Sequence, residues 1–246
     1  MKKYVLFLLA TLITFISCTK NFDTSSERSN SIILTQAKES GNIHNQLLTQ
    51  FVSEGAVNMT YSDKIVFFKS KAFNFNLDRF EKIKHGIINP DTREETVKNE
   101  LLKIFTDKSK VNAVYNKLKK VSLSNPIIMN KQIIEESFEV LSTASFNDKC
   151  IGYTFLSIYE KSFNFWNNYY TIKTTAANRV FSADPNDPMY DILYIMFMDA
   201  VGAAIYIGDQ LALNPGYTWA DLVVLNPRFR SEANLNSAIY SALAGL

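Results

Sequence analysis

The sequence predicts an all-α protein, a single irregular multi-helix bundle around one buried helix near residues 187–208. Three observations carry that expectation. Apolar residues recur with a 3.6-residue period in one segment after another, and strand-like alternation is scarce. Only eight Gly and six Pro punctuate 246 residues. Finally, residues 187–208 form the most apolar long stretch outside the N-terminus. Asp187 is placed to cap that stretch and Pro188 to fill its first helical position. Ala200, Ala204 and Gly208 recur every four residues, with Asp199 and Ala203 flanking them, so that a second helix can approach closely. Tyr194, Met198, Val201 and Ile205 cover the other face; a helix apolar all round belongs in the interior.

From the start of the chain, Lys2 and Lys3 precede an uncharged run over residues 4–17 and then Cys18. A charged segment, an apolar segment and a small residue before a cleavage point are the layout of a secretory signal peptide, here residues 1–17. Fourteen apolar and uncharged residues are short for a mature membrane span. The run Phe15-Ile16-Ser17-Cys18 resembles the lipobox of bacterial lipoproteins, with Phe15 where leucine is usual. That resemblance implies palmitate-type acylation at Cys18 as the first mature residue, and two or more chains anchor stably where one is marginal. Thr19 stands where lipoprotein sorting reads aspartate for inner-membrane retention, which favours the outer membrane. The sequence leaves the leaflet open. Residues 18–31, the acylated cysteine and a Ser-rich polar segment, read as a flexible tether, and residues 32–246 as one all-α globular domain.

Within the domain, residues 41–54 bring Ile43, Leu47, Leu48, Phe51 and Val52 to one face, and Gly55 is a natural stop. Shorter helices are expected over 62–72 and 76–85, the first including Ile65, Val66, Phe67 and Phe68, whose lysine-flanked setting suits a helix better than a strand. His85 followed by Gly86 reads as a helix end with a left-handed cap. Asp91 with Glu94 resembles a capping box ahead of Val97, Leu101, Ile104 and Phe105. Val111, Tyr115, Leu118 and Val121 continue the pattern, and residues 131–144 follow Pro126. A long helix runs from 148 through 165 and toward 175; helices at 219–225 and 231–244 close the chain. No repeat at fixed period appears.

Removing Lys2 and Lys3 with the signal peptide from the 26 basic residues leaves 24 against 24 acidic ones. A neutral chain lacks the concentrated basic surface that nucleic acid requires. The lysines at 108, 110, 117, 119 and 120 read as a solvated helix face, with weak contact to acidic headgroups or surface polysaccharide as the second use. Once Cys18 is acylated, Cys150 stands alone and reads as a small buried hydrophobe.

Catalytic patterns are sparse. HExxH, GxSxG, paired CxxC, phosphate-loop and GxGxxG spacings are all missing from the sequence. No metal site and no cofactor is expected, since His44 and His85 are the only histidines. Asp184, Asn186 and Asp187 resemble a calcium loop in composition but not in spacing. Residues 41–48 read Gly-Asn-Ile-His-Asn-Gln-Leu-Leu. This G-x-x-H-N-x-x-L pattern is similar to one in a group of bacterial lipoproteins and secreted proteins without assigned function. A small-residue C-terminal segment with an embedded aspartate accompanies it there, here residues 199–203. The resemblance implies no activity.

A carboxylate on an apolar helix needs a partner. His44 or Asn45 is therefore expected to contact Asp199, as a polar clasp or, alternatively, as a catalytic dyad with His44 as general base. Phe163, Phe165, Trp166, Tyr169 and Tyr170, interleaved with asparagines, read as a core helix; the alternative is a carbohydrate or peptide platform using Trp166, Tyr169 and Tyr170. The sequence thus favours a lipid-anchored envelope protein that binds or supports, with an envelope protein or glycan as its partner. A His44-centred hydrolase is the competing reading. Membrane insertion of residues 187–208 is disfavoured by Asp191 and Asp199.

Overall fold

A computed structural model describes residues 26–71, 75–103, 105–121, 125, 127–177, 192–217 and 228–245. These form nine α-helices and one 3-10 turn, with no strand among the described residues. The signal peptide, Cys18, residues 18–25 of the tether, Asp184, Asn186, Asp187, Pro188, Asp191 and the expected helix at 219–225 lie outside them.

Helix α1 (Ser26–Ser53) starts earlier than expected: residues 26–31, assigned to the tether, are helical. The buried stripe explains this, because Ile33 and Ala37 extend the face of Ser40, Gly41, His44, Leu48 and Phe51 by two turns. Once that face nucleates a helix, adding polar residues to its N-terminus is inexpensive. Gly55, at φ 88, ends the run in the left-handed region that suits glycine, ahead of the 3-10 turn Ala56–Asn58.

Helix α2 (Tyr61–Lys71) opens with a reciprocal cap: Thr60 Oγ1 donates to Asp63 Oδ2 at 2.7 Å and accepts from the Asp63 N–H at 3.2 Å. Helix α3 (Leu77–Ile88) is capped by Asn76 and buries Phe80, Ile83 and Ile87. Two expectations change here. Gly86 lies inside α3, where a Cβ would collide with the Thr96 side chain, so it permits a close approach of α4 and does not terminate the helix. Asn89 caps α4 (Pro90–Leu102) by accepting the Asp91 N–H, and Pro90 occupies the first turn. The Asp91–Glu94 capping box therefore does not form. Proline lacks the N–H that a first-turn residue leaves unpaired, so the cap moves from Asp91 to Asn89 and the helix starts two positions earlier.

Asp107 caps α5 (Lys108–Leu118), and Asp148 holds its approach by accepting from the N–H groups of Thr106 and Asp107 and from the Thr106 hydroxyl. Helices α6 (Ile127–Leu141) and α7 (Phe146–Ala177) are antiparallel: Leu141 abuts Gly152, and the Phe138 and Tyr153 rings lie 5.3 Å apart. Helix α1 instead runs parallel to α7, with Gly41 against Ser157 and Asn45 bonded to Lys161.

Helix α8 (Ile192–Leu213) is the buried element, with every residue from 195 to 207 shielded by α7, α9 (Phe229–Gly245), α3 and α4. It continues past Gly208, the residue expected near its end. Among the described residues it is the one helix long and apolar enough to cross a membrane, but the bundle buries most of it. Arg79 on α3 ties this core to its cover, bonding Glu100 at 3.0 Å and also Asp209 on α8. Cys150 is buried, as expected of a small hydrophobe.

Candidate functional site

The G-x-x-H-N segment lies on the face of α1 that meets α7 and α8. Gly41 sits so close to α7 that a Cβ there would fall 2.5 Å from the Ser157 carbonyl oxygen and 2.8 Å from Lys161 Cγ. Its missing side chain lets the two helices touch along their backbones. One turn on, Asn45 Nδ2 donates to the Lys161 carbonyl at 2.9 Å, which orients the amide. Its Oδ1 then faces His44 Nδ1 at 3.1 Å. An amide oxygen can only accept, so Asn45 holds the His44 proton on Nδ1 and leaves Nε2 as the acceptor.

Nε2 points at Asp199 on α8, 3.6 Å from Oδ2, just beyond hydrogen-bond contact. Both side chains are 0 % exposed. Asp199 is held from three sides. Ser162 and Trp166, one turn apart on α7, donate to Oδ2, the indole at 3.4 Å. Trp166 Nε1 also reaches Ser241 on α9 at 3.0 Å, and Ser237 donates to the Asp199 carbonyl at 2.6 Å. The site therefore joins α1, α7, α8 and α9.

Burial sets the electrostatics. It pushes the Asp199 carboxyl up to about 7, against the lowering effect of hydrogen bonds from Ser162, Ser241 and Trp166. It also brings the His44 imidazole down to about 4, opposed by the bond to Asn45. Near neutrality His44 is uncharged, and a carboxyl that retains its proton there can donate toward Nε2. A base held at about 4 is poorly matched to proton abstraction at neutral pH. Two small cavities are present elsewhere: one lined by residues such as Leu101, Phe105, Leu141 and Phe155, the other by Ser40, Thr154, Arg230 and Asn234. Neither is lined by His44 or Asp199.

The aromatic platform takes a different form from the alternative that placed it in an exposed groove. Trp166 is fully buried and bonded to Asp199, so it belongs to the clasp. Phe163 is buried too; Tyr169 packs half-buried, stacked on Phe165 with ring centroids 5.9 Å apart. The Tyr170 side chain lies outside the described residues, as does Cys18. Asn234, Ser162, Ser237 and Ser241 were not singled out from the sequence. The four-residue spacings of Ser162 with Trp166 and of Ser237 with Ser241 were the available signal, since each places two polar groups on one helix face.

Among the described residues no three His, Cys, Asp or Glu side chains gather as metal ligands. His85 is exposed in the last turn of α3, where its carbonyl accepts the Asn89 N–H. Comparison with protein-family models, curated proteins and solved structures returns no match to this chain.

Proposed function

We propose that this protein is a lipid-anchored envelope protein that acts through binding or support, with His44 and Asp199 serving as a helix clasp. The observation that carries this reading is the burial of both groups at 0 % exposure, within a ring of Asn45, Ser162, Trp166 and Ser241. A general base must reach a substrate proton directly or through one water. The imidazole here uses Nδ1 on Asn45 and turns Nε2 to Asp199, which supports a clasp over a hydrolase dyad. The neutral mature charge argues against nucleic acid and leaves an envelope protein or a glycan as the partner class.

The anchor rests on Lys2, Lys3, the uncharged run to Ser17 and Cys18. Two measurements test the proposal. Labelled palmitate is expected on the parent chain and not on Cys18→Ser, with the variant released from the outer-membrane fraction; label retained by Cys18→Ser overturns the anchor. A hydrolase substrate screen is expected to find no turnover that depends on His44. Activity present in the parent and lost in a folded His44→Gln chain would make the site catalytic.

A further inference from the structure

We propose that one internal water molecule binds at the junction of α1, α7, α8 and α9, held by the side-chain amide of Asn234. Asn234 lies on α9 and is 1 % exposed, and neither its Nδ2 nor its Oδ1 has a hydrogen-bond partner in the protein. An amide offers two donors and an acceptor, and native structures rarely leave both ends bare in the interior. Asn234 lines a cavity of about 10 Å³, with Ser40 of α1, Thr154 of α7, Ile207 of α8 and Arg230 of α9 around it.

The polar rim complements a water. Ser40 Oγ donates to the Gln36 carbonyl at 3.3 Å, and Thr154 Oγ1 donates to the Cys150 carbonyl at 2.8 Å. Each hydroxyl has spent its proton on its own helix, so the oxygen left at the cavity accepts. Arg230 fixes the Ser40 side of the rim by donating to the Gln36 carbonyl at 2.6 Å and to Ser40 Oγ at 3.4 Å. A water can donate to these oxygens and bond the Asn234 amide at the same time, which gives it the two to four partners that internal waters have. Size selects the ligand. About 10 Å³ accommodates one water and no organic ligand or polyatomic anion. Ile207, Phe229 and Ala233 line the rest of it.

The test is a crystal structure of the full-length chain, with solution NMR as the independent arm. Density for one water within hydrogen-bond distance of the Asn234 amide and of Ser40 or Thr154 supports the site. An empty cavity, or Asn234 turned onto a protein partner, overturns it. In solution, a cross-peak between long-lived water and the Asn234 Nδ2 hydrogens is expected in the parent and lost in Asn234→Leu; its absence from the parent overturns the proposal. The same variant is expected to melt at lower temperature, because it loses bonded polar groups. A higher Tm would mean that the amide was bare, and would overturn it too.

Discussion

At the scale of single residues, the clasp makes predictions that depend on which partner is removed. His44→Ala opens a cavity in the buried core and strips Asp199 of the imidazole beside it. Its cost is expected at roughly 2–4 kcal/mol, read by urea unfolding. The pH dependence separates the partners further. Asp199 is raised to about 7 when folded, so between about 4 and 7 the folded chain keeps a proton that the unfolded chain has released. Taken alone, it makes stability fall as pH rises through that window. His44 is lowered to about 4, so between about 4 and 6.5 the unfolded chain binds the extra proton, and His44 alone makes stability rise with pH. In the parent the two contributions oppose each other, because folded and unfolded pairs each carry about one proton between them. Relative to the parent, Asp199→Asn is therefore expected to gain stability as pH rises from 4 to 6.5, and His44→Gln to lose it. Unfolding curves across that range check the sign; parallel curves for both variants would contradict the pairing.

At the scale of helices, the question is what lets α1 lie against α7. Gly41→Ala should raise the intrinsic helix propensity of α1 by about 1 kcal/mol. Against that stands a Cβ 2.5 Å from the Ser157 carbonyl oxygen, a backbone atom that cannot rotate away. Overpacking of this kind typically costs about 1–3 kcal/mol, so net destabilisation is expected, visible as a lower Tm. A more stable Gly41→Ala protein would show that α1 and α7 can part without loss. Gly202 makes the corresponding contact between α8 and α9, its missing side chain filled by Tyr240. The expected row of Ala200, Ala204 and Gly208 thus predicted a close helix pair, and Gly202, beside that row, is a position where α9 leaves no room for a side chain.

For the whole molecule, the register of the helices fixes which end is which. Helix α1 is parallel to α7 and α6 antiparallel to it, so the start of α6 lies some 33 Å along the bundle from the start of α1, at about 1.5 Å per residue. If Cys18 carries the lipid, the chain enters the bundle at the end remote from Ile127, Ile128 and Met129. These three are 64 %, 80 % and 48 % exposed. They add nothing to the core, and Ile128→Ser is expected to shift stability by no more than about 0.5 kcal/mol in either direction, measured as a denaturant midpoint. A large loss would mean that this end is covered in the folded protein.

The sequence by itself determined the helical class, most of the helix series and the expectation that His44 or Asn45 meets Asp199; the tertiary structure brings His44 to 3.6 Å from that carboxyl and turns Asn45 to Lys161. Periodicity reports which face is apolar, and a carboxylate on an apolar helix demands a partner. Caps were less legible: Asn89 served two helices at once, which a reading of one segment at a time does not reveal. Only the tertiary structure decided that α1 begins at Ser26, that Trp166 bonds Asp199 instead of lining a groove, and that Asn45 selects the imidazole tautomer. Those outcomes depend on helices far apart in the chain, such as α1 against α7 and α8 against α9. Their register is set by where backbones can touch, at Gly41 and Gly202, and local sequence carries no measure of that distance.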